Sequence, residues 1–132
     1  MPIRARRWND PAEERDGTRI LITRYRPRGV KKFEETWHQW LANLGPSREL
    51  HAAVYAKTGP GISWSTYRSK YLQEMRSQVP AITELARRIA AGETITLLCS
   101  SHCVNENRCH RSLLRNLIEF EADKLRQTPK PA

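Results

Sequence analysis

Two short, unbroken apolar runs constrain the fold of this chain more than any other feature. Ile20–Ile22 lies within a predicted strand over Arg19–Tyr25, and a second predicted strand covers Thr94–Cys99. Short runs without polar alternation are typical of strands buried on both faces, as in parallel sheets. Because helical periodicity follows each run, the strand–helix–strand order predicts parallel pairing. A weaker third strand is predicted over Ile3–Trp8.

Apolar residues at helical spacing account for most of the remaining chain. They predict an α/β fold, in which a small, mainly parallel sheet of three or four strands is covered by helices. We expect one domain over residues 1–126 and a disordered tail over residues 127–132, which contains two prolines. Phe120 and Leu125 are expected on the apolar side of the last helix. The predicted helices are Thr36–Leu44, Arg48–Ala56, a helix that begins at Ser63 or Ser65 and ends at about Gln78, a helix that begins at Pro80 and ends before Gly92, and Arg108–Arg126.

The charge of the chain is positive and unevenly distributed. The net charge is +9, and residues 1–32 contribute +6 of it through ten Lys/Arg and four Asp/Glu. A basic lobe of this kind indicates either a solvated surface or an anionic partner such as a nucleic acid, a nucleotide or a phosphorylated metabolite. No apolar run approaches the roughly 20 residues needed to cross a bilayer, and the basic N-terminal residues lack the apolar stretch of a secretory signal. We therefore expect a cytoplasmic protein with no membrane partner.

A polar segment rich in cysteine and histidine, Cys99–Ser112, follows the second apolar run. Its three cysteines lie within eleven residues, and the odd number argues against a disulfide framework. One hypothesis is a metal or redox site, for which the candidate ligands are Cys99, Cys103 and Cys109 with His102 or His110. The spacing is only suggestive, because structural zinc sites usually combine ligand pairs from two places in the chain.

The same segment also predicts an anion site. Cys109–Ser112 is expected at the start of the last helix, where unbonded N–H groups and the helix dipole favour negative charge. His110 and Arg111 would add positive charge, and the same environment lowers the pKa of a thiol. The candidate catalytic residues are therefore Cys99, Cys109 and His110. A small buried apolar residue is the alternative interpretation of Cys99.

A second group of polar residues, Arg24–Gly29, follows the first apolar run. Arg24 and Arg28 are predicted to contact an anion, whereas Arg26 is expected to face solvent, and Gly29 permits a sharp turn or a close backbone approach. Both groups begin at the carboxyl ends of predicted parallel strands, where ligands bind in such folds. We therefore predict one concave pocket that holds a negatively charged small molecule. Its predicted ligand-binding residues are Arg24, Arg28, Gly29, Ser100, Cys109, His110, Arg111 and Ser112.

Two alternatives from other classes stay open. One is a nucleic-acid-associated domain that uses the basic lobe, and the other is the metal or redox site. The sequence shows no phosphate-binding loop, Ser/His/Asp set or known nucleic-acid motif, so it assigns no reaction, cofactor or oligomeric state. Tyr67 and Tyr71 share one predicted helix face and are expected in the core, with stacking on a ligand as the alternative. His38 and His51 receive no role.

In combination, these motifs resemble the YeaO-like uncharacterised bacterial family, domain of unknown function 488. The resemblance covers roughly residues 3–120 and implies a small cytoplasmic α/β protein, without implying an activity. Two departures stand out: Ser100 and Ser101 occupy positions where an acidic residue is common, and Tyr25–Arg26 replaces a Leu–Trp pair. The residues that carry the resemblance are Arg24, Pro27, Arg28, Gly29, Trp40, Leu41, Pro46, Ser47, Glu49, Leu50, Trp64, Tyr67, Tyr71, Leu97, Leu98, Cys99, Cys109, His110, Arg111, Ser112 and Leu113.

Overall fold

Four strands and four α-helices form the structure, a computed structural model that describes residues 3–54, 61–100 and 108–127. No helix in these ranges is long and apolar enough to cross a membrane. The strands are β1 (Ile3–Arg7), β2 (Thr18–Leu21), β3 (Gln39–Trp40) and β4 (Ile95–Cys99). The helices are α1 (Arg48–Val54), α2 (Trp64–Met75), α3 (Val79–Ala90) and α4 (His110–Gln127), with 3₁₀ turns at Glu14–Asp16, Lys32–Glu34, Ala42–Leu44 and Arg76–Gln78.

The sheet is parallel throughout and has the strand order β1-β4-β2-β3. Strand β4 is buried at every position because it lies between β1 and β2, with the helices on one face and a smaller cluster of Leu21, Trp37 and Leu98 on the other. Its residue Leu97 pairs in register with Ala5 on one side and Ile20 on the other. The predicted α/β class and the parallel pairing of the two apolar runs are therefore confirmed.

Apolar helix faces enclose the main core against the sheet. Ser63 caps α2, because its side chain accepts a hydrogen bond from the Thr66 backbone N–H at 3.1 Å. Tyr67 and Tyr71 on α2 are buried in the core, as their helical spacing predicted. Phe120 and Leu125, by contrast, are exposed on α4, so their expected place on its apolar side is wrong.

The predicted helix over Thr36–Leu44 is wrong. The backbone there pairs with a neighbouring strand instead: the N–H of His38 donates to the Arg19 carbonyl, and the N–H of Leu41 donates to the Leu21 carbonyl, both at 2.8 Å. The segment forms β3 and a 3₁₀ turn, since an unpaired edge of β2 offered these hydrogen bonds. These hydrogen bonds to β2 determine the backbone conformation of the segment more strongly than the helical spacing of its tryptophans and leucines does.

The arginines near the N-terminus surround one buried carboxylate, that of Asp16. Arg19 donates to it at 2.6 Å and Arg6 at 2.8 Å, and Arg4 bonds its other oxygen. Asp16 and Arg19 are both almost fully buried. Arg19 is therefore paired inside the fold, and Arg4 and Arg6 are held against the same carboxylate. The net charge of +6 in residues 1–32 already counts Asp16, so it is not reduced by these pairs.

Candidate functional site

A cavity of about 920 Å³ opens at the carboxyl ends of the strands. The segments that end three of the strands reach it: Trp8 after β1, Thr23–Arg28 after β2 and Cys99–Ser100 at the end of β4. The Trp8 backbone N–H donates to the Cys99 carbonyl, and the Ile22 N–H donates to the Leu98 carbonyl, at 2.9 and 3.0 Å. These bonds hold the three strand ends side by side, so residues distant in sequence line one wall.

Four arginines line the cavity, and no described acidic residue does. Arg24 is held against the chain by two backbone carbonyls: its Nε donates to Pro46 at 2.7 Å and its Nη2 to Gly45 at 3.4 Å. Arg26, which was expected to face solvent, is half-buried and forms a salt bridge with Glu35 at 2.8 Å. Arg28 and Arg108 are exposed, and no acidic side chain of the described residues pairs with them. The described lining therefore carries an excess of positive charge.

Two cysteines and a histidine meet at the inner end of the cavity. Cys99 is the last residue of β4, Cys109 immediately precedes α4, and His110 is the first residue of that helix. The two Sγ atoms are 3.2 Å apart, and the Nδ1 of His110 lies 3.7 Å from the Sγ of Cys99 and 3.9 Å from that of Cys109. All three residues are buried and line the cavity.

A backbone contact determines which nitrogen of His110 faces the sulfurs. Its Nε2 lies 2.8 Å from the Ile22 carbonyl oxygen, which can only accept, so Nε2 carries the proton. In the neutral ring, Nδ1 is then the nitrogen with a lone pair, and this lone pair is directed at both sulfurs. The cluster has two chemical capabilities: Nδ1 can accept a proton from a thiol, or the three atoms can bind a metal ion.

Aromatic rings connect the cavity wall to this cluster. Trp64 stacks on Tyr67 at 5.4 Å between ring centroids, Tyr67 stacks on Tyr71 at 6.1 Å, and Tyr71 packs against the His110 ring at 5.5 Å. The Tyr71 hydroxyl donates to the Leu44 carbonyl at 2.7 Å. Burial raises the pKa of Tyr71 well above its ordinary value of 10.0, so the hydroxyl stays a neutral donor.

Most of the predicted site residues come together around this cavity. Arg24, Arg28, Ser100, Cys109 and His110 all line it, as does the candidate catalytic residue Cys99. The structure therefore brings the two polar groups of the sequence to one concave surface. His102 and Cys103, which belong to the alternative metal-ligand set, lie outside the described residues.

Three predicted ligand-binding residues are not among those that line the cavity. Gly29 is exposed in a turn with a φ of +74°, where a glycine is favoured because other residues rarely adopt positive φ. Arg111 is buried within the fold, and Ser112 is half-buried. Successive residues of a helix point about 100° apart. Because α4 begins at His110, its next two side chains are directed away from the face that His110 presents.

Several lining residues had no assigned role in the sequence analysis. Trp8 is the last residue of one predicted strand and Arg108 the first residue of the last predicted helix, and these positions at the edge of the sheet were the available signal. His51 on α1 and Trp64 on α2 reach the cavity only through helix packing, which no local pattern encodes. His51 packs edge-on against Tyr25 at 5.0 Å, and burial lowers the pKa of its imidazole.

Comparison with known proteins places these features in a family context. The family model described as "Active DUF488-N3 subclade" matches residues 3–122. The uncharacterised protein YeaO of Escherichia coli (strain K12) is 36% identical over 107 residues, which cover 81% of this chain and 90% of that protein. The uncharacterised protein Rv3073c of Mycobacterium tuberculosis (strain H37Rv) is 24% identical over 116 residues, which cover 88% of this chain and 92% of that protein. No solved structure matches the chain significantly.

Proposed function

The chain belongs to the YeaO-like family, domain of unknown function 488, and on that premise we propose that it binds an anionic small molecule in the cavity at the carboxyl edge of its sheet. The observation that carries this proposal is the charge of the lining, which contains no described acidic residue and four arginines, of which only Arg26 pairs with an acidic side chain of the described residues. An enclosed surface of one sign concentrates ligands of the opposite sign and strengthens their binding. A nucleotide or another phosphate or carboxylate compound fits this surface.

Arg24, Arg28 and Arg108 have distinct places in this proposal. Arg24 is held by the carbonyls of Gly45 and Pro46, which leaves its Nη1 for a ligand and removes much of the entropy cost of ordering the side chain. Arg28 and Arg108 are exposed at the cavity and have no acidic partner among the described residues. A guanidinium group in such a place matches the paired oxygens of a phosphate or carboxylate.

The aromatic part of the wall favours a ligand that also carries a planar ring. Tyr25, Trp64 and Tyr67 line the cavity together with Trp8. Aromatic side chains offer a large apolar area with few rotatable bonds, and they stack on planar groups. A mononucleotide combines such a ring with the negative charge that the arginines require. Within the class of anionic small molecules, we therefore favour nucleotides.

Calorimetric titration of the purified chain tests this proposal. The probes are inorganic phosphate, a panel of nucleoside monophosphates, and the nucleosides that lack the phosphate. We expect at least one monophosphate to bind. Its nucleoside should bind at least about tenfold more weakly, because it lacks the phosphate contacts. The Arg28→Gln and Arg108→Gln substitutions should each lower the affinity for the monophosphate by about tenfold.

The matched control is Arg87→Gln, since Arg87 is an exposed arginine on α3 that lies outside the cavity and, among the described acidic residues, pairs with Glu84 alone. This control should bind like the wild type. The proposal is wrong if no monophosphate or phosphate binds, or if the Arg28→Gln/Arg108→Gln double variant binds the panel as the wild type does. The cytoplasmic location expected from the sequence belongs with this proposal, because nucleotides are abundant there.

A further inference from the structure

We propose that Cys99, Cys109 and His110 bind one Zn²⁺ ion, with a fourth coordination position that faces the cavity. The three donor atoms converge from the end of β4 and the start of α4 and lie within 4.8 Å of one another. Two thiolates and one imidazole form a donor set that suits zinc. The proposal concerns the sulfurs and the imidazole, and it does not depend on the arginines that carry the proposed function.

The spacing of the donor atoms is close to that of a tetrahedral zinc face. Typical Zn–S and Zn–N bond lengths imply a sulfur–sulfur separation of about 3.8 Å and sulfur–nitrogen separations of about 3.6 Å. The structure has 3.2 Å between the sulfurs, and 3.7 and 3.9 Å from each sulfur to Nδ1 of His110. Side-chain shifts of about half an ångström therefore bring all three atoms to bonding geometry.

The contacts of His110 prepare its Nδ1 for a metal ion. Histidines that bind metals commonly donate their second ring N–H to a carbonyl or carboxylate, which determines the tautomer and the ring orientation. The Nε2 of His110 makes this contact with the Ile22 carbonyl at 2.8 Å. The Tyr71 ring packs edge-on against the imidazole at 5.5 Å and limits its rotation. The lone pair of Nδ1 is thus directed at the sulfurs before any ion arrives.

Charge and access to the cavity also favour a metal ion at this cluster. Burying two thiolates without a counter-ion would cost free energy, and a divalent cation neutralises both charges. Each ion bound releases the two thiol protons to solvent. Cys99, Cys109 and His110 all line the cavity, so an ion among them would have one side open to it. Catalytic zinc sites keep such an open position for water or substrate. An anionic ligand held in the cavity would lie within reach of that position.

The test measures zinc binding to the purified, reduced chain without any anionic ligand. We expect one Zn²⁺ per chain by elemental analysis after dialysis, with a dissociation constant below about 1 µM. Co²⁺, used as a spectroscopic probe, should produce thiolate-to-metal charge-transfer absorption and the strong visible bands of a tetrahedral site. Cys99→Ser, Cys109→Ser and His110→Gln should each weaken zinc binding by at least about a hundredfold. Circular dichroism establishes that each variant is folded.

The control is the His102→Ala/Cys103→Ser variant, which removes the remaining cysteine and its neighbouring histidine but keeps the three proposed ligands. It should retain one tightly bound Zn²⁺. The proposal is overturned if the reduced wild type binds Zn²⁺ with a dissociation constant above about 1 µM, or if the ion is lost from this control and retained by Cys109→Ser. Because no anion is present, a negative result here leaves the arginine proposal standing, and a failed nucleotide titration leaves this one standing.

Discussion

Gly45 lies against the backbone of Arg24 with no space for a side chain between them. A Cβ at this position would be 2.5 Å from the Arg24 nitrogen and 2.8 Å from the Thr23 carbonyl carbon. The Gly45 carbonyl also accepts a hydrogen bond from the Arg24 guanidinium group. The glycine therefore positions both the backbone and the side chain of an arginine that lines the cavity.

Gly45→Ala should destabilise the fold and weaken anion binding together. The added methyl group must displace the Thr23–Arg24 backbone, and overpacking of a buried position costs about 1–3 kcal/mol. We expect a lower urea midpoint and about a tenfold weaker monophosphate affinity, measured by titration. Gly92→Ala is the matched control: it has a φ of +100° and open space around it, so strain should lower stability while nucleotide affinity stays unchanged. Equal affinity in both variants would contradict the positioning role of Gly45.

Asp16→Asn should lower the free energy of unfolding far more than its small change in side-chain volume suggests. The carboxylate is fully buried and accepts from Arg19, which is 1% exposed, and also from Arg4 and Arg6. Removing one partner of a buried ion pair leaves an uncompensated charge and costs about 3–5 kcal/mol. Urea denaturation at neutral pH measures the loss. Glu13→Gln, on the half-exposed edge of the same cluster, should cost much less, and similar losses in the two variants would refute the buried ion pair as a main contributor.

The same carboxylate should make the protein sensitive to acid. Burial alone would raise the pKa of Asp16, but hydrogen bonds from the Glu13 backbone and the Arg19 side chain, with the charges of Arg6 and Arg19, bring it below 3.8. A pKa that is lower in the folded state adds stability above the unfolded pKa, and this stability is lost as pH falls through the folded value. The free energy of unfolding should therefore decrease steadily below about pH 4. Asp16→Asn should show a flatter acid dependence when both proteins are titrated from pH 7 to pH 2.5, and identical slopes would argue against this assignment.

Tyr71→Phe should lower stability through one lost hydrogen bond. Its hydroxyl donates to the Leu44 carbonyl in a fully buried place, so the variant leaves a buried acceptor without its donor. This costs about 1–3 kcal/mol. Thermal denaturation measures the effect, and Tyr25→Phe, at a half-exposed tyrosine, should have almost none. A Tyr71→Phe protein as stable as the wild type would indicate that water replaces the hydroxyl.

Duplex DNA should bind weakly and without specificity. Six of the ten basic side chains in residues 1–32 form salt bridges with acidic groups, namely Arg4, Arg6, Arg7, Arg15, Arg19 and Arg26. Fluorescence anisotropy should give a dissociation constant no tighter than about 10⁻⁶ M at physiological salt. The Lys31→Gln/Lys32→Gln double variant should bind the DNA still more weakly, since both lysines are exposed and form no salt bridge with the described acidic residues. Nanomolar binding at that salt concentration would instead support the nucleic-acid alternative.

The sequence by itself determined the sheet and the kind of chemistry available at its edge. The apolar runs around Ile20 and Leu97 could become buried only as central strands, because strands without polar alternation need cover on both faces. The helices supply this cover on one face, and Trp8, Val30 and Trp37 pack against Leu21 and Leu98 on the other. The cysteines, histidine and arginines after those runs were predicted to lie at one edge, since parallel strands end on the same side. The positions of Arg24, Arg28, Cys99, Cys109 and His110 around one cavity follow from that rule.

Tertiary structure determined the third strand, the partners of the N-terminal arginines and the orientation of His110. The segment Thr36–Leu44 had helical spacing, yet β2 presented an unpaired edge whose hydrogen bonds held part of it as β3. The local sequence indicated a basic surface at Arg4, Arg6 and Arg19. In the folded chain all three instead donate hydrogen bonds to one buried carboxylate, that of Asp16. The orientation of His110 depends on the carbonyl of Ile22, 88 residues away along the chain. Hydrogen bonds and ion pairs over such separations form only when the chain is folded, so no local spacing can predict them.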